Sequence, residues 1–175
     1  MKASTFTTAV LLAIAISGCG ASDGKSSVEN AAVSKEDVCT LLTTAEVSQL
    51  VGEKVHDGKR DTKHVYPNTA VCTWTSVSHD MPLLLLTYNV HTSSHKLDYY
   101  APPLDMGYTI KELNGSPNEA IAVLTSKKSL FEVIVRSGEN TVLLTAPFLE
   151  EKEGSKLWNS EIQLAKLAAK RAKGK

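Results

Sequence analysis

The residues best equipped for chemistry are three thiols (Cys19, Cys39 and Cys72), five histidines and a tyrosine-rich stretch just past the middle of the chain. A thiol can be acylated, bridged, oxidised or used as a nucleophile, and its setting decides which. Neither Cys39 nor Cys72 belongs to a Cys-x-x-Cys pair, which argues against a zinc site. His91, His95 and Asp98 have the spacing of metal ligands on one helical face. His91, however, ends an apolar strand pattern and Ser93-Ser94 read as a helix start, so that register breaks between them. A solvated strand-to-helix junction is the better reading, and no metal ligand is assigned. Asp57, Asp61, His64 and His79 fall in loops among many serines, a scatter that chance supplies freely. The chain has no Gly-x-Ser-x-Gly elbow, phosphate loop or His-Glu-x-x-His run. No catalytic residue, no cofactor and no enzyme activity is therefore expected.

Cys19 has a setting of its own. Met1-Lys2 supplies a short positive start, Ala9–Ile16 (AVLLAIAI) an apolar run, and Ser17-Gly18 the small residues before the thiol. That order is the secretory signal layout, and the run is far short of the roughly 20 apolar residues of a transmembrane helix. Ile16-Ser17-Gly18-Cys19 resembles the bacterial lipobox, with Ile in place of the usual Leu. The resemblance implies cleavage after residue 18, diacylglyceryl and palmitate-type acyl chains on Cys19, and attachment of the mature lipoprotein to a membrane. Gly20 rather than Asp after the lipidated residue resembles sorting to the outer membrane, facing the periplasm, in a Gram-negative cell envelope. The alternative is an ordinary signal peptide cut nearby, with Cys19 incidental. If Cys19 is consumed by lipid, Cys39 and Cys72 remain as an even pair in an oxidising compartment. Closing that loop contributes roughly 4 kcal/mol in the chain-entropy model. The alternative is two reduced, buried thiols.

Composition narrows the partners. The 19 basic and 19 acidic residues cancel, so no general electrostatic field favours nucleic acid. Arginine occurs only at 60, 136 and 171, a thin supply for phosphate recognition.

These residues must be positioned by a short scaffold. Residues 1–18 read as the signal peptide, and 19–35 as the lipidated Cys and a flexible Ser/Gly/Ala-rich tether. Residues 36–175 read as one domain. Thr43-Thr44-Ala45-Glu46 fits a capping box, Leu42 and Val47 a hydrophobic staple, and Gly52 a C-terminal cap, which predicts a helix over 44–51. Strands are predicted over 70–77, with Cys72 and Trp74 on one face, and over 83–91, apolar enough to be central. Three more at 120–125, 129–136 and 141–146 are separated by turns and form an antiparallel meander. Alternation in the second of these places Phe131, Val133 and Val135 on one face, opposite Glu132 and Arg136. A final helix over 156–173 carries Trp158, Ile162, Ala165 and Ala169 at helical spacing.

Asp37-Val38-Cys39-Thr40-Leu41-Leu42-Thr43-Thr44-Ala45-Glu46, with Cys72-Thr73-Trp74 further on, resembles the opening and strand motif of actinobacterial domain-of-unknown-function lipoproteins. These are similar in turn to the extracellular sensor domain of a mycobacterial receptor Ser/Thr kinase. Val38 stands where that family's opening has Pro. Asn114-Gly115-Ser116-Pro117-Asn118-Glu119-Ala120 resembles its strand lead-in. The resemblance implies an α+β fold with a curved antiparallel sheet packed with a short N-terminal helix and a C-terminal helix. It also implies a Cys39–Cys72 bridge and ligand sensing or partner binding.

The segment 97–108 (LDYYAPPLDMGY) holds three of the five tyrosines, Tyr99, Tyr100 and Tyr108, beside Pro102-Pro103. Aromatics with polar tips on a stiff backbone suit a partner surface, because little side-chain entropy is lost on binding. The competing role is to cap the core. The expectation is a lipid-anchored extracytoplasmic binding or accessory module for an envelope protein or small ligand. Its contact with the membrane would run through the N-terminal lipid. The runner-up is a hydrolase-like envelope enzyme, and a third reading is a structural or immunity-type protein.

Overall fold

Thr43 holds the chain extended (φ −86°, ψ 152°) just before the first helix, α1 (Thr44–Val51). Its Oγ1 accepts the Glu46 N–H at 3.2 Å, and the Glu46 carboxylate accepts the Thr43 N–H at 2.8 Å, so both orphan donors of the first turn are satisfied. Val47 and Leu50 face inward, and Gly52 ends the helix in the left-handed conformation (φ 77°) with its N–H on the Ser48 carbonyl. The structure is a computed structural model and describes residues 35–63, 66–113, 119–149 and 151–173. Cys19 and the rest of the expected signal and tether lie outside the described residues, except for Lys35, which begins a 3-10 turn (Lys35–Thr40).

Among the described residues, the strands form a single open antiparallel sheet of eight: β1 (Lys59–Arg60), β2 (Thr69–Thr75), β3 (Pro82–Asn89), β4 (Thr109–Glu112), β5 (Ala120–Leu124), β6 (Ser129–Ser137), β7 (Asn140–Thr145) and β8 (Glu151–Lys152). The order across the sheet is β1-β2-β3-β7-β6-β5-β4. Two meanders, β1–β3 and β4–β7, thus join where β7 pairs with β3, with Leu86 opposite Leu144. The chain between β3 and β4 has to cross the sheet to start the second meander at the far edge. After β7 the chain leaves the sheet at 146–149, and β8 resumes pairing with β6. With the two helices this is an α+β fold, as expected.

One face carries the main core. Ala70, Cys72 and Trp74 of β2, Leu84, Leu86 and Tyr88 of β3, and Val142 and Leu144 of β7 are buried there under the two helices. The second helix, α2 (Lys156–Lys173), begins at Ser155, whose Oγ accepts the Trp158 N–H at 3.1 Å. Trp158, Ile162, Ala165, Ala168, Ala169 and Ala172 give it a smooth inner face. The run of alanines lets the helix axis lie close to β6, and Ser137 Oγ donates to the Ala169 carbonyl at 2.7 Å across that contact.

One expectation about β6 is corrected. Leu130 pairs with Leu124, but Glu132 pairs with Val123, so Phe131 is an extra residue in a β-bulge. The bulge turns Phe131 away from Val133 and Val135 and onto the opposite face, where it packs with Ile134. Simple alternation fails at that residue because one strand has lengthened against its partner.

Candidate functional site

The crossing segment between β3 and β4 is a strap over the second face of the sheet. Leu97, almost fully buried, roots it in a small cluster with Ile121, Val123, Ile134 and Leu143. Its entry is held by Arg136 of β6, whose Nη1 donates to the Thr92 carbonyl at 2.8 Å and whose Nη2 donates to the His95 carbonyl at 2.6 Å. Thr92 is buried, and its Oγ1 accepts from Thr141 at 2.6 Å. Charge-assisted bonds to two carbonyls, together with an apolar root, fix the backbone of the strap. The strap then continues through a 3-10 turn (Leu97–Tyr100), Pro102-Pro103 and a second 3-10 turn (Leu104–Met106).

The three tyrosines are separated by this arrangement. Tyr99 is 67% exposed and stacks on His95, with ring centroids 4.3 Å apart and planes 12° apart. Tyr100 is half-buried and meets Tyr99 edge-on at 5.2 Å. Tyr108 is half-buried and rests on Phe131 at 4.9 Å, part of the cluster beneath the strap. Leu104 (55% exposed) and Met106 (70% exposed) extend the apolar outer surface begun by Tyr99. The strap thus presents two faces: Leu97 and Tyr108 inward, Tyr99, Leu104 and Met106 outward. Sequence reading marked the tyrosines but not Leu104. A leucine flanked by Pro103 and Asp105 in a segment with no helical or strand period was the available signal.

The other sites considered from sequence are placed as follows. Cys39 and Cys72 lie at disulfide distance, with Cα atoms 5.2 Å apart, joining the turn before α1 to β2. Asp57 accepts the Thr44 hydroxyl at 2.6 Å, and Asp61 accepts the Lys63 N–H at 2.8 Å. His64 lies outside the described residues. His91 adopts a left-handed backbone (φ 57°) where the chain turns out of the sheet, and His95 is engaged by Tyr99. Among the described residues, no group of three or more His, Cys, Asp or Glu is arranged to hold a metal ion. No described helix is long and apolar enough to cross a membrane.

A concave surface runs between the helices, a groove of about 1020 Å³ with Leu50, Leu157, Leu164 and Leu167 along it and the exposed Gln49 and Gln163 beside them. Glu46 also reaches this groove, but Arg171 engages both of its oxygens at 2.8 Å. The Arg171 hydrogen bond holds the Glu46 carboxyl at about 2, against the ordinary 4.5. The groove therefore offers apolar and amide contacts, with its carboxylate already neutralised by an ion pair. No protein-family model, curated protein or solved structure matches the chain.

Proposed function

We propose that the chain is a lipid-anchored, extracytoplasmic recognition module that presents the strap over 95–106 to a protein partner in the cell envelope. The observation that carries this reading is the outward exposure of Tyr99, Leu104 and Met106 on a backbone fixed from beneath by Leu97 and Arg136. Apolar side chains on a pre-ordered segment lose little conformational freedom on docking, which is the economy that binding hot spots exploit. The lipobox-like Ser17-Gly18-Cys19 supports anchoring, and the Cys39–Cys72 pair at bonding distance fits an oxidising compartment.

The test is site-specific photocrosslinking in intact cells. A photoreactive residue at Met106 is expected to give a discrete adduct. The same residue at Val77, also exposed but on the turn between β2 and β3, is expected to give none. Equal labelling at both positions, or none at either, would remove the strap as the contact surface.

A further inference from the structure

Glu161 sits on the inner face of α2 with 1% of its surface exposed, and neither carboxyl oxygen has a hydrogen-bond partner. A carboxyl in that position is tolerated when neutral and strongly disfavoured as an anion, because no donor replaces the water it has lost. The elements packed on α2 deepen the problem. From β6 comes Glu132, 7% exposed, whose Oε1 accepts the Thr145 hydroxyl at 2.8 Å. From β8 comes Glu151, whose carboxylate accepts the Ser155 hydroxyl at 2.8 Å, while the neighbouring Lys152 is exposed to solvent. Strand β7 (NTVLLT) carries no charged side chain. Helix α1 contributes Glu46, which is held by Arg171 ten residues further along α2, and Lys111 of β4 is paired with Glu153. Burial first, then Glu151 and Glu132, push the Glu161 carboxyl up from 4.5 to about 8. Burial likewise raises Glu132 to about 7.

We propose that Glu161 is a proton-operated latch: protonated, it lets the first half of α2 lie on β6 and β8, and on losing its proton to solvent it lifts residues 156–165 from the sheet. The second half of α2 stays in place, because Arg171 ties it to Glu46 and to the Leu41 carbonyl. The lifting half carries Asn159 and Gln163, which line both the groove between the helices and a smaller one against β4. The latch therefore changes the shape of both grooves together.

The direction follows from linkage. The seated carboxyl holds its proton more tightly than an exposed one, so seating is fully favoured below pH 4.5 and is progressively lost as pH rises toward 8. Within that window the ratio of lifted to seated helix climbs by up to about tenfold per pH unit, and it levels off above it.

The experiment is amide hydrogen exchange on the full-length protein at pH 6 and pH 8, corrected for the intrinsic pH dependence of exchange. Wild type is expected to lose protection over 156–165 by about 10–100-fold, with 166–173 and the sheet unchanged. Glu161→Gln is expected to abolish the difference, and Glu132→Gln to leave most of it. Should Glu161→Gln fold poorly, Trp158 reports on the wild type itself: it is buried on the lifting half, so acrylamide should quench it more at pH 9 than at pH 6. The proposal is overturned by equal pH dependence in wild type and Glu161→Gln, by loss that tracks Glu132→Gln instead, by uniform loss across the domain, or by Trp158 quenching that does not change with pH.

Discussion

Glu46 and Arg171 are 125 residues apart in sequence and form a two-pronged ion pair, Nη1 to Oε2 and Nη2 to Oε1, each at 2.8 Å. The same carboxylate closes the capping box on Thr43, and the same Nη1 also donates to the Leu41 carbonyl at 3.0 Å. One residue thus both starts α1 and fastens it to the last turn of α2. The Arg171 hydrogen bond, helped by the two bonds from Thr43, keeps the carboxyl at about 2. The stabilisation is therefore present above about pH 4.5 and disappears as pH falls toward 2. Between pH 6 and pH 3, urea unfolding of wild type should lose about 1 kcal/mol more than that of Arg171→Gln, a modest figure because the pair is partly solvated. Parallel acid losses in the two proteins would mean that the pair contributes nothing.

Gly58 supports a different contact. A Cβ there would stand 2.7 Å from Cys72 Sγ and 2.7 Å from Trp74 Cε2, closer than any carbon can approach. Its glycine lets the backbone pass directly over the sulfur and the indole. Gly58→Ala should cost about 1–3 kcal/mol in urea unfolding, by forcing the rigid ring or the backbone to shift. The same proximity makes Trp74 a reporter, since a disulfide quenches a neighbouring excited indole. Reduction should raise the tryptophan emission before unfolding begins. An unchanged midpoint for Gly58→Ala would show that the loop yields freely.

Much of the scaffold could be read from sequence because its signals were local. The box from Thr43 to Glu46 fixed the start of α1, and the spacing of Trp158, Ile162, Ala165 and Ala169 fixed the inner face of α2. What could not be read was set by distant partners. The strand β4 (TIKE) is short and half charged, and it exists because Ile110 pairs with Val123 at the sheet edge. The bulge at Phe131 depends on a register that only the β5–β6 pairing defines. Nothing local to Glu161 signals its burial, because the strands packed on α2 there, β6 (Ser129–Ser137) and β8 (Glu151–Lys152), come from earlier in the chain. The tyrosine cluster was visible, but which ring faces outward was decided by Leu97 and Arg136.

The anchor can be tested separately from the fold. Cys19→Ala should prevent acylation and leave an uncut precursor or a soluble periplasmic species, because a diacylglyceryl group is what would drive membrane partition. Detergent phase separation of mature protein reads this directly. A mature Cys19→Ala protein that still enters the detergent phase would contradict lipid attachment at this residue.

Tyr99 and Tyr108 make the sharpest comparison, because nine residues separate a ring that faces water from one that faces the sheet. Tyr99 is 67% exposed and its closest ring contact is His95 at 4.3 Å, so Tyr99→Ala removes little buried area. Its effect on unfolding should stay within about 0.5 kcal/mol, as for most surface substitutions. Tyr108 packs on Phe131 at 4.9 Å within the cluster that roots the strap. Tyr108→Ala should cost about 2 kcal/mol, below the full range for a buried aromatic because part of the ring is already exposed. Binding should invert that order if the strap is a contact surface. Tyr99→Ala should then weaken partner capture by about 2 kcal/mol, roughly thirtyfold, while leaving the melting curve in place. A conservative Tyr99→Phe should keep most of that affinity, because the ring rather than the hydroxyl supplies the apolar contact. Equal stability losses for Tyr99→Ala and Tyr108→Ala would mean that Tyr99 is a structural cap, and the outward face of the strap would lose its claim as the recognition surface.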